Sequence, residues 1–433
     1  MTLVVAMLFG FLIIGTPIAA AFALVVFLQA DRLNVWLDSL SSIPYDSVSS
    51  FALVAIPLFI LVGEIMNRSG MAASLASLAD KMIGRIRGAF GYIMIVASAF
   101  LGAITGSSVA TVAAIGSTLG PEMASRGYPK GYVASLNAAS GLLGVLIPPS
   151  IPLIIYGSTV GVSITDLFVA TLVPGALLMM TFATVHWFRS RALLPGGHEI
   201  TNRPQASSEV GEIAAKPAWS GASTSKAAAS LFLPVLVLGG IYGGFFTPTE
   251  AAAAACVYAI LVVIVLRCLK PGELMQTVYA AILPAAAILL IIAMTGILNR
   301  ALILNQVPQD LAALVAILFE HPYMFLIAVN LLLFATGMFM ETNAAVLLMG
   351  PLLAPSAQAF GIDPVHFAII VVTNIEIGLL TPPLAANLFV AARTNNVHLV
   401  EMLRHFGWFI GAAIFALALL TFIPGLSLWY RYF

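Results

Sequence analysis

The chain alternates long apolar runs with short polar segments. A helix needs about 20 apolar residues to cross the hydrocarbon layer of a bilayer. Uninterrupted runs of that order lie at 3–29, 50–66, 166–188, 231–246, 248–266, 275–299 and 406–424. Four further stretches contain glycine, proline or small polar residues, at 89–120, 131–158, 322–355 and 364–393. The pattern predicts an all-α polytopic membrane protein in which some helices are interrupted inside the membrane.

Composition agrees with a membrane protein and argues against several other classes. Of the 433 residues, 61% are hydrophobic and 8% are charged, whereas soluble domains carry about 25% charged residues. The net charge is zero, which gives no reason to expect nucleic-acid binding. No catalytic triad, Walker motif, zinc-ligand spacing or cysteine framework is present in the sequence. We therefore expect neither an enzyme nor an ATP-driven pump, and no organic cofactor.

The positions of Lys and Arg predict the orientation, since cytoplasmic loops carry an excess of both. We take the N-terminus as cytoplasmic, and 89–120 and 322–355 as hairpins that enter and leave on one side. Arg32, Arg300 and Arg431 are then the only basic residues outside, and the C-terminus is outside as well. If both hairpins were full crossings, Lys and Arg would no longer be concentrated on one side of the membrane.

Three segments are predicted to lie outside the hydrocarbon layer. The stretch 191–230 is long, polar and rich in Ser, Ala, Gly and Pro, which is typical of a cytoplasmic linker. Segments 70–87 and 306–319 are short and amphipathic, and we expect them along the membrane interface. The linker divides the chain into a first half, 1–190, and a second half, 231–433.

The two halves repeat the same landmarks in the same order. The matching pairs are Thr16-Pro17 and Thr247-Pro248, Ile65-Met66-Asn67-Arg68 and Ile297-Leu298-Asn299-Arg300, Pro121 and Pro355, Gly127 and Gly361, and Gly144-Val145-Leu146-Ile147-Pro148-Pro149 and Gly378-Leu379-Leu380-Thr381-Pro382-Pro383. We predict two inverted-topology repeats, each with a re-entrant helical hairpin (89–120, 322–355) and a broken transmembrane helix (131–158, 364–393). Secondary transporters have this architecture, with sites near the midplane at the interruptions. Gene duplication also occurs in membrane proteins that transport nothing.

The first hairpin turns at Thr105, Gly106, Ser107 and Ser108. Small hydroxyl residues deep in a membrane are tolerated where they line a cavity or bind a ligand. Carbonyl and hydroxyl oxygens coordinate Na⁺, while the amides of a helix N-terminus suit a carboxylate. We predict that all four residues contact substrate and that Ser107 and Ser108 also bind Na⁺. Close helix packing is the alternative, and we prefer it for Gly102.

The second hairpin turns between Gly337 and Asn343, and contains an ionisable residue, Glu341, in an apolar stretch. Such a residue is a functional candidate by default. Its carboxylate can bind Na⁺ directly or hold the tip by accepting backbone N–H bonds, and both roles stay open. We predict Gly337 and Glu341 as Na⁺ ligands, and Thr342 and Asn343 as substrate contacts.

Two Pro-Pro pairs are predicted to break their helices, because proline lacks the backbone N–H and clashes with the preceding turn. The freed carbonyls need partners, which Na⁺ can supply, whereas a mere kink is the competing interpretation. The predicted Na⁺ ligands at the breaks are Gly144, Ile147, Pro148, Gly378, Thr381 and Pro382. Asn387, one turn beyond the second break, is a predicted substrate contact. Of the other acidic residues, Glu250 is expected to cap its helix, and Glu376 to support the broken helix or bind an ion.

Several motifs resemble the large membrane subunit of tripartite ATP-independent periplasmic (TRAP) transporters, over essentially the whole chain. In the second half they are Gly337-Met338-Phe339-Met340-Glu341, Gly361-Ile362-Asp363-Pro364-Val365-His366-Phe367, Ile377-Gly378-Leu379-Leu380-Thr381-Pro382-Pro383 and Asn387-Leu388-Phe389-Val390. Two more are Ile147-Pro148-Pro149-Ser150 and Gly239-Gly240-Ile241-Tyr242-Gly243-Gly244-Phe245-Phe246-Thr247-Pro248-Thr249-Glu250-Ala251.

The resemblance implies a subunit of the bacterial inner membrane that imports organic acids, driven by a Na⁺ gradient. It implies two partners, a periplasmic substrate-binding protein and a small membrane subunit of about four helices, here a separate chain. It also implies elevator-like motion, in which hairpins and broken helices move against a scaffold of the flanking spans. The family's Na⁺ positions correspond to Ser107, Ser108, Gly337, Glu341, Thr381 and Pro382.

Two rival functions remain at this point. A stand-alone Na⁺/divalent-anion symporter has the same hairpin arrangement but needs no binding protein. A membrane scaffold or enzyme that transports nothing leaves the hydroxyl-rich tips unexplained. The sequence does not distinguish a C4-dicarboxylate from a sugar acid as substrate, since dipoles and hydroxyl groups bind either.

Overall fold

The structure is a computed structural model that describes residues 2–33, 42–70, 74, 88–193 and 224–432. Within these ranges the chain is helical and contains no strand, which confirms the predicted all-α class. Most of the predicted linker, 191–230, and of the predicted interfacial segment, 70–87, lies outside the described residues.

Eleven helices of the first half are described. They are α1 (Thr2–Ile13), α2 (Ile18–Leu28), α3 (Ser42–Val48), α4 (Ala55–Arg68), α5 (Ala89–Thr105), α6 (Ser108–Ser125), α7 (Lys130–Ser140), α8 (Leu143–Leu146), α9 (Ile151–Val160), α10 (Ile164–Ala170) and α11 (Leu172–Leu193). The predicted single span at 3–29 is wrong, because two helices occupy it. Gly15, at φ +85°, and Pro17 separate them, and a proline cannot continue the preceding helix.

Nine helices of the second half are described. They are α12 (Thr224–Tyr242), α13 (Pro248–Val265), α14 (Pro271–Leu304), α15 (Val307–Leu318), α16 (Pro322–Phe339), α17 (Thr342–Ala359), α18 (Pro364–Leu379), α19 (Ala386–Asn395) and α20 (Leu399–Phe422). Helix α15 coincides with the predicted interfacial segment 306–319. The capping role of Glu250 is confirmed, since its Oε2 accepts hydrogen bonds from Thr247 N at 2.8 Å and Thr247 Oγ1 at 2.9 Å.

The described helices include enough long apolar segments for a multi-pass membrane protein. By length and composition, six can cross a bilayer: Phe51–Arg68, Ile164–Leu193, Pro248–Val265, Pro271–Leu304, Pro322–Phe339 and Leu399–Phe422. The pair Lys130–Leu146 and Ile151–Val160, bent by 41° at the first Pro-Pro break, is a seventh if counted as one span. Length alone makes α16 compatible with a full crossing, so its re-entrant path stays a prediction.

Helix boundaries repeat between the halves at one constant spacing. Helix α6 starts at Ser108 and α17 at Thr342, and the same interval separates Lys130, the start of α7, from Pro364, the start of α18. Both helices α6 and α17 continue past the predicted hairpin ends at 120 and 355, with Pro121 and Pro355 inside them.

The helices pack in two groups. In the first, α14 packs against α2, α3 and α4, and α13 packs against α4 and α12. In the second, α20 packs against α7 and α11, and α5 packs against α6, α8 and α11. The resemblance implies one scaffold that contains all flanking spans. In the structure α11 and α20 pack against the first broken helix, around Tyr132, Phe182 and Phe409, and the composition of the scaffold stays a prediction.

The two halves exchange equivalent contacts. Helix α9, which follows the first break, packs against α17 of the second hairpin, and α19, which follows the second break, packs against α6 of the first hairpin. Such reciprocal contacts are what a two-fold relation between repeats produces. Through these contacts, the hairpin of each half packs against the broken helix of the other half.

Candidate functional site at the hairpin tips

The first tip is a tight turn closed by its own hydroxyl groups. Gly106, at φ +60°, ends α5 by donating its N–H to Gly102 O at 2.9 Å, in a conformation that favours glycine. Ser107 caps α6, since its Oγ accepts from Ala110 N at 3.4 Å. Thr111 Oγ1 donates to Ser107 O at 2.8 Å and lies 3.1 Å from Thr105 Oγ1.

This tip lies directly against the first break. A Cβ on Gly106 would come within 2.9 Å of Pro149 O, and one on Gly144 within 2.6 Å of Thr111 Oγ1. A Cβ on Gly102 would overlap the Cα of Gly144. The prediction that Gly102 serves close helix packing is therefore confirmed. Neither backbone has room for a side chain at these contacts.

The second tip is held by a carboxylate. Glu341 Oε2 accepts from Asn343 N at 2.9 Å and Ala344 N at 3.3 Å, while its Oε1 accepts from Asn343 Nδ2 at 2.7 Å. Glu341 thereby caps α17, where a negative charge is stabilised by the helix dipole. Of the two roles left open by the sequence, the structure contains the capping one. Direct Na⁺ binding stays a prediction.

The second tip also meets its own break. Leu384 N donates to Met338 O at 3.0 Å, and a Cβ on Gly378 would come within 2.8 Å of Gly337 Cα. Thr342 Oγ1 donates to Glu376 Oε1 at 2.7 Å, which links the first turn of α17 to the end of α18. Each hairpin tip therefore rests on the broken helix of its own half.

Both tips line one cavity of about 190 Å³, which we call the tip cavity. Helices α4 and α14 form its opposite wall, and a Cβ on Gly63 of α4 would approach Thr105 Cα to 3.1 Å. Its polar lining consists of Glu64, Asn67, Thr105, Ser107, Ser108, Glu341, Thr342, Asn343 and Glu376. Within the described residues, Asn343 Oδ1 and Glu376 Oε2 are buried without a hydrogen-bond partner. Such atoms are costly unless a ligand or water satisfies them.

The tip cavity is rich in carboxylates. Glu64 forms an ion pair with Arg68 (Oε1 to Nε, 2.7 Å). In the described part of the chain, neither Glu341 nor Glu376 forms an ion pair with a Lys, Arg or His side chain. In their ionised forms these two groups would repel an organic anion, and a bound cation would offset their charge.

The structure separates the predicted site residues into two sets. Those that line the tip cavity are Thr105, Gly106, Ser107, Ser108, Glu341, Thr342 and Asn343. Those outside its lining are Gly337 of the second hairpin and, at or beyond the breaks, Gly144, Ile147, Pro148, Gly378, Thr381, Pro382 and Asn387. Asn387 is fully buried, and both polar atoms of its side chain lack a partner among the described residues.

The sequence alone does not reveal that α4 and α14 contribute to the cavity. Asn67 carries a signal, since it is part of a repeated tetrapeptide, but Pro284 and Ile288 are ordinary residues of an apolar run.

A cluster of buried aromatic and histidine side chains is likewise invisible in the sequence, along which the histidines are scattered. His186 and His405 both contact Tyr132, with His186 Nδ1 2.6 Å from Tyr132 OH. No local pattern predicts this cluster, because the three residues lie on different helices.

Known proteins resemble this chain in sequence and in fold. The family described as "Tripartite ATP-independent periplasmic transporter, DctM component" matches residues 1–426. The crystal structure of the YdaH transporter of Alcanivorax borkumensis has a similar fold, with a TM-score of 0.62 at 14% identity over 91% of this chain and 87% of that one.

Two curated relatives are similar in sequence. The C4-dicarboxylate TRAP transporter large permease protein DctM of Pseudomonas aeruginosa is 37% identical, over 89% of this chain and 87% of the relative. The isethionate TRAP transporter permease protein DctMQ of Oleidesulfovibrio alaskensis is 35% identical over 97% of this chain, which spans 64% of that relative's length. The chain belongs to the DctM family of tripartite ATP-independent periplasmic transporter components.

Proposed function

We propose that the chain is the large membrane subunit of a TRAP transporter and imports a small organic acid together with Na⁺. One observation carries this proposal: the two hairpin tips and Glu376 of α18 line a single cavity against α4 and α14. Paired interruptions that meet at one site are the arrangement in which secondary transporters bind substrate and coupling ion.

The charge of the tip cavity supports Na⁺ coupling. Glu341 and Glu376 line the cavity in which we expect the organic anion to bind. Neither carboxylate has a basic partner among the described residues. Na⁺ would offset their charge and prefers oxygen ligands. Two oxygens at the first tip, Ser107 O and Thr111 Oγ1, lie beside Gly144. Both are suitable ligands for Na⁺. We propose that Na⁺ binds at the predicted ligand positions at both breaks.

The first turns of two helices support an anionic substrate. Helices α6 and α17 both begin at the tip cavity, at Ser108 and Thr342, so the positive ends of both helix dipoles lie there. On α17, Glu341 already accepts from Asn343 N and Ala344 N. Two relatives are named for isethionate and for C4-dicarboxylates, and both compounds are organic anions. We propose an organic acid as the class and leave the individual acid to experiment.

The position of the cavity supports alternating access. It lies between α4 and α14 on one side and the tips on the other, so a displacement of the tips past these two helices would move it across the membrane. We propose an elevator in which α11 and α20 move with the first broken helix, since they are packed together. The repeats 1–190 and 231–433 stay our proposed division of the chain.

The family supports two protein partners, a small membrane subunit and a periplasmic substrate-binding protein. We propose the bacterial inner membrane as location, with the N-terminus cytoplasmic and the C-terminus periplasmic. We propose transport without catalysis and without an organic cofactor.

Uptake of labelled organic acids into proteoliposomes tests the proposal. The vesicles would contain this chain with its small subunit, with or without the adjacent binding protein, and with an inward Na⁺ or K⁺ gradient. Uptake that requires both Na⁺ and the binding protein is the expected result. Na⁺-driven uptake without the binding protein would instead favour a stand-alone symporter, and absence of uptake for every acid would reject transport.

A further inference from the structure

A second cavity lies further along α14. It has a volume of about 810 Å³ and is bounded by α3 and α14 on one side and by α9 and α17 on the other. Ile288 of α14 lines the tip cavity and Arg300 lines the second one, so about 18 Å of helix separates them at 1.5 Å per residue. We call it the Arg300 cavity.

Arg300 lacks the partner that its repeat equivalent has. In the matching tetrapeptides, Arg300 corresponds to Arg68, which forms an ion pair with Glu64 one turn earlier. The position equivalent to Glu64 is Gly296, on which a Cβ would overlap Ser47 Oγ. The close packing of α3 therefore excludes a compensating carboxylate there. Among the described residues Arg300 has no ion pair or hydrogen bond, and its side chain is exposed to the cavity.

The remaining polar lining is neutral except for one carboxylate. Ser158 and Thr159 of α9 bring hydroxyl groups to the wall opposite Arg300, and Asp46 brings an exposed carboxylate from α3. Asp46 lies beyond ion-pair distance of Arg300. A ligand in this cavity therefore meets the Arg300 cation on one wall. It meets the Asp46 carboxylate and the Ser158 and Thr159 hydroxyl groups elsewhere in the lining.

Two hydrogen bonds join the walls. Asn299 Nδ2 donates to Leu347 O at 3.1 Å, and Ser158 Oγ donates to Ser50 Oγ at 3.2 Å. The first bond connects α14 with the second hairpin. The second connects α9 with the segment before α4. Both hydrogen bonds lie beside the Arg300 cavity. A ligand in this cavity would contact both walls, and α14 is part of the wall of the tip cavity as well.

We propose that the Arg300 cavity is a second binding site for the transported acid, and that it takes a hydroxylated monocarboxylate in preference to a dicarboxylate. The guanidinium of Arg300 would pair with the single carboxylate, in the two-hydrogen-bond geometry that arginine provides. The hydroxyl groups of the ligand would donate to Asp46 and to the Ser158 and Thr159 oxygens. A second carboxylate would be repelled by Asp46. The inference rests on the proposed function and specifies its substrate class.

The test uses the complete complex in proteoliposomes under a Na⁺ gradient, with labelled gluconate as the hydroxylated monocarboxylate and labelled succinate as the dicarboxylate. The expected result is gluconate uptake in the native complex, with a KM that rises roughly tenfold or more in Arg300→Gln at unchanged maximal rate, as loss of a charge-assisted hydrogen bond predicts. Arg300→Lys keeps the cation but loses the two-hydrogen-bond geometry, so its KM should lie between those of the native complex and Arg300→Gln. Arg267→Gln, an exposed arginine at the end of α13 that lines neither cavity, should leave KM unchanged.

A second variant tests the substrate class. Asp46→Asn removes the repelling charge and should strengthen the inhibition of gluconate uptake by succinate. The inhibition constant of succinate should fall roughly fivefold. An unchanged KM in Arg300→Gln, with gluconate uptake intact, would overturn this site while the transport function stands. Preference of the native complex for succinate would overturn the class, and lack of uptake of either acid would overturn both the site and the class proposed for it.

Discussion

Thr342 Oγ1 donates a hydrogen bond of 2.7 Å to Glu376 Oε1, and this contact ties the second hairpin tip to the broken helix on which it rests. Both residues are almost fully buried and both line the tip cavity. A change in the position of the tip is therefore transmitted to a carboxylate in the site. The contact offers a direct test of whether tip and broken helix act as one unit.

Replacement of Thr342 by valine should remove this bond and leave the Glu376 carboxylate with fewer partners. Loss of a buried hydrogen bond to a charged group costs roughly 1–3 kcal/mol, so we expect a lower melting temperature and reduced uptake. Thr336→Val is the control, since Thr336 Oγ1 donates to Leu332 O at 2.8 Å on an exposed surface. Equal effects of both variants on uptake would show that the Glu376 contact has no special role.

Replacement of Glu341 separates its capping role from its charge. Glu341→Ser retains a side-chain acceptor for the α17 N-terminus but removes the carboxylate, whereas Glu341→Ala removes both. If the charge serves Na⁺ binding, both variants should raise the Na⁺ concentration needed for half-maximal uptake by roughly tenfold. In thermal unfolding, Ser should be less destabilising than Ala by about 1 kcal/mol. Native Na⁺ dependence in Glu341→Ser would restrict Glu341 to the cap.

Gly337→Ala should disturb the contact between the second hairpin and its broken helix. A Cβ on Gly337 would overlap Ile375 O and come within 3.0 Å of Gly378 Cα, and both are backbone atoms that cannot rotate away. We expect destabilisation of roughly 1–3 kcal/mol from such overpacking, with loss of uptake. Gly411→Ala in α20 is the matched control, because nothing lies within 4 Å of its Cβ. That control should be neutral or stabilising by up to about 1 kcal/mol. Comparable melting temperatures for the two variants would contradict the packing argument.

Tyr132→Phe should loosen the start of the first hairpin. His186 Nε2 lies 2.8 Å from Gly88 O, which can only accept, so Nε2 carries the hydrogen and Nδ1 of the neutral ring accepts from Tyr132 OH at 2.6 Å. Without that hydroxyl the fully buried Nδ1 is unpaired, at a cost of roughly 1–3 kcal/mol. Thermal unfolding measures the loss, with the exposed His398→Gln as control. A native melting temperature in Tyr132→Phe would mean that the bond contributes little.

Much of the fold follows from local sequence patterns. Apolar runs, the two Pro-Pro pairs and the polar tips locate the helices, the breaks and the turns, because each depends on a few consecutive residues. The repeated tetrapeptides that contain Asn67 and Asn299 indicate the relation between the halves through residue identity alone. The error at 3–29 arises where hydropathy outweighs the helix-ending signal of Gly15 and Pro17.

The sequence by itself determined the membrane class, the paired interruptions and the residues at the tips, since proline, glycine and charge act on the chain within one or two turns. Only the tertiary structure decided that Glu341 caps α17, that α4 and α14 complete the tip cavity, and that α11 and α20 pack with the first broken helix. It also brought Tyr132 to His186 and left Arg300 without the partner of Arg68. These relationships join residues far apart in the chain, and packing of whole helices fixes them.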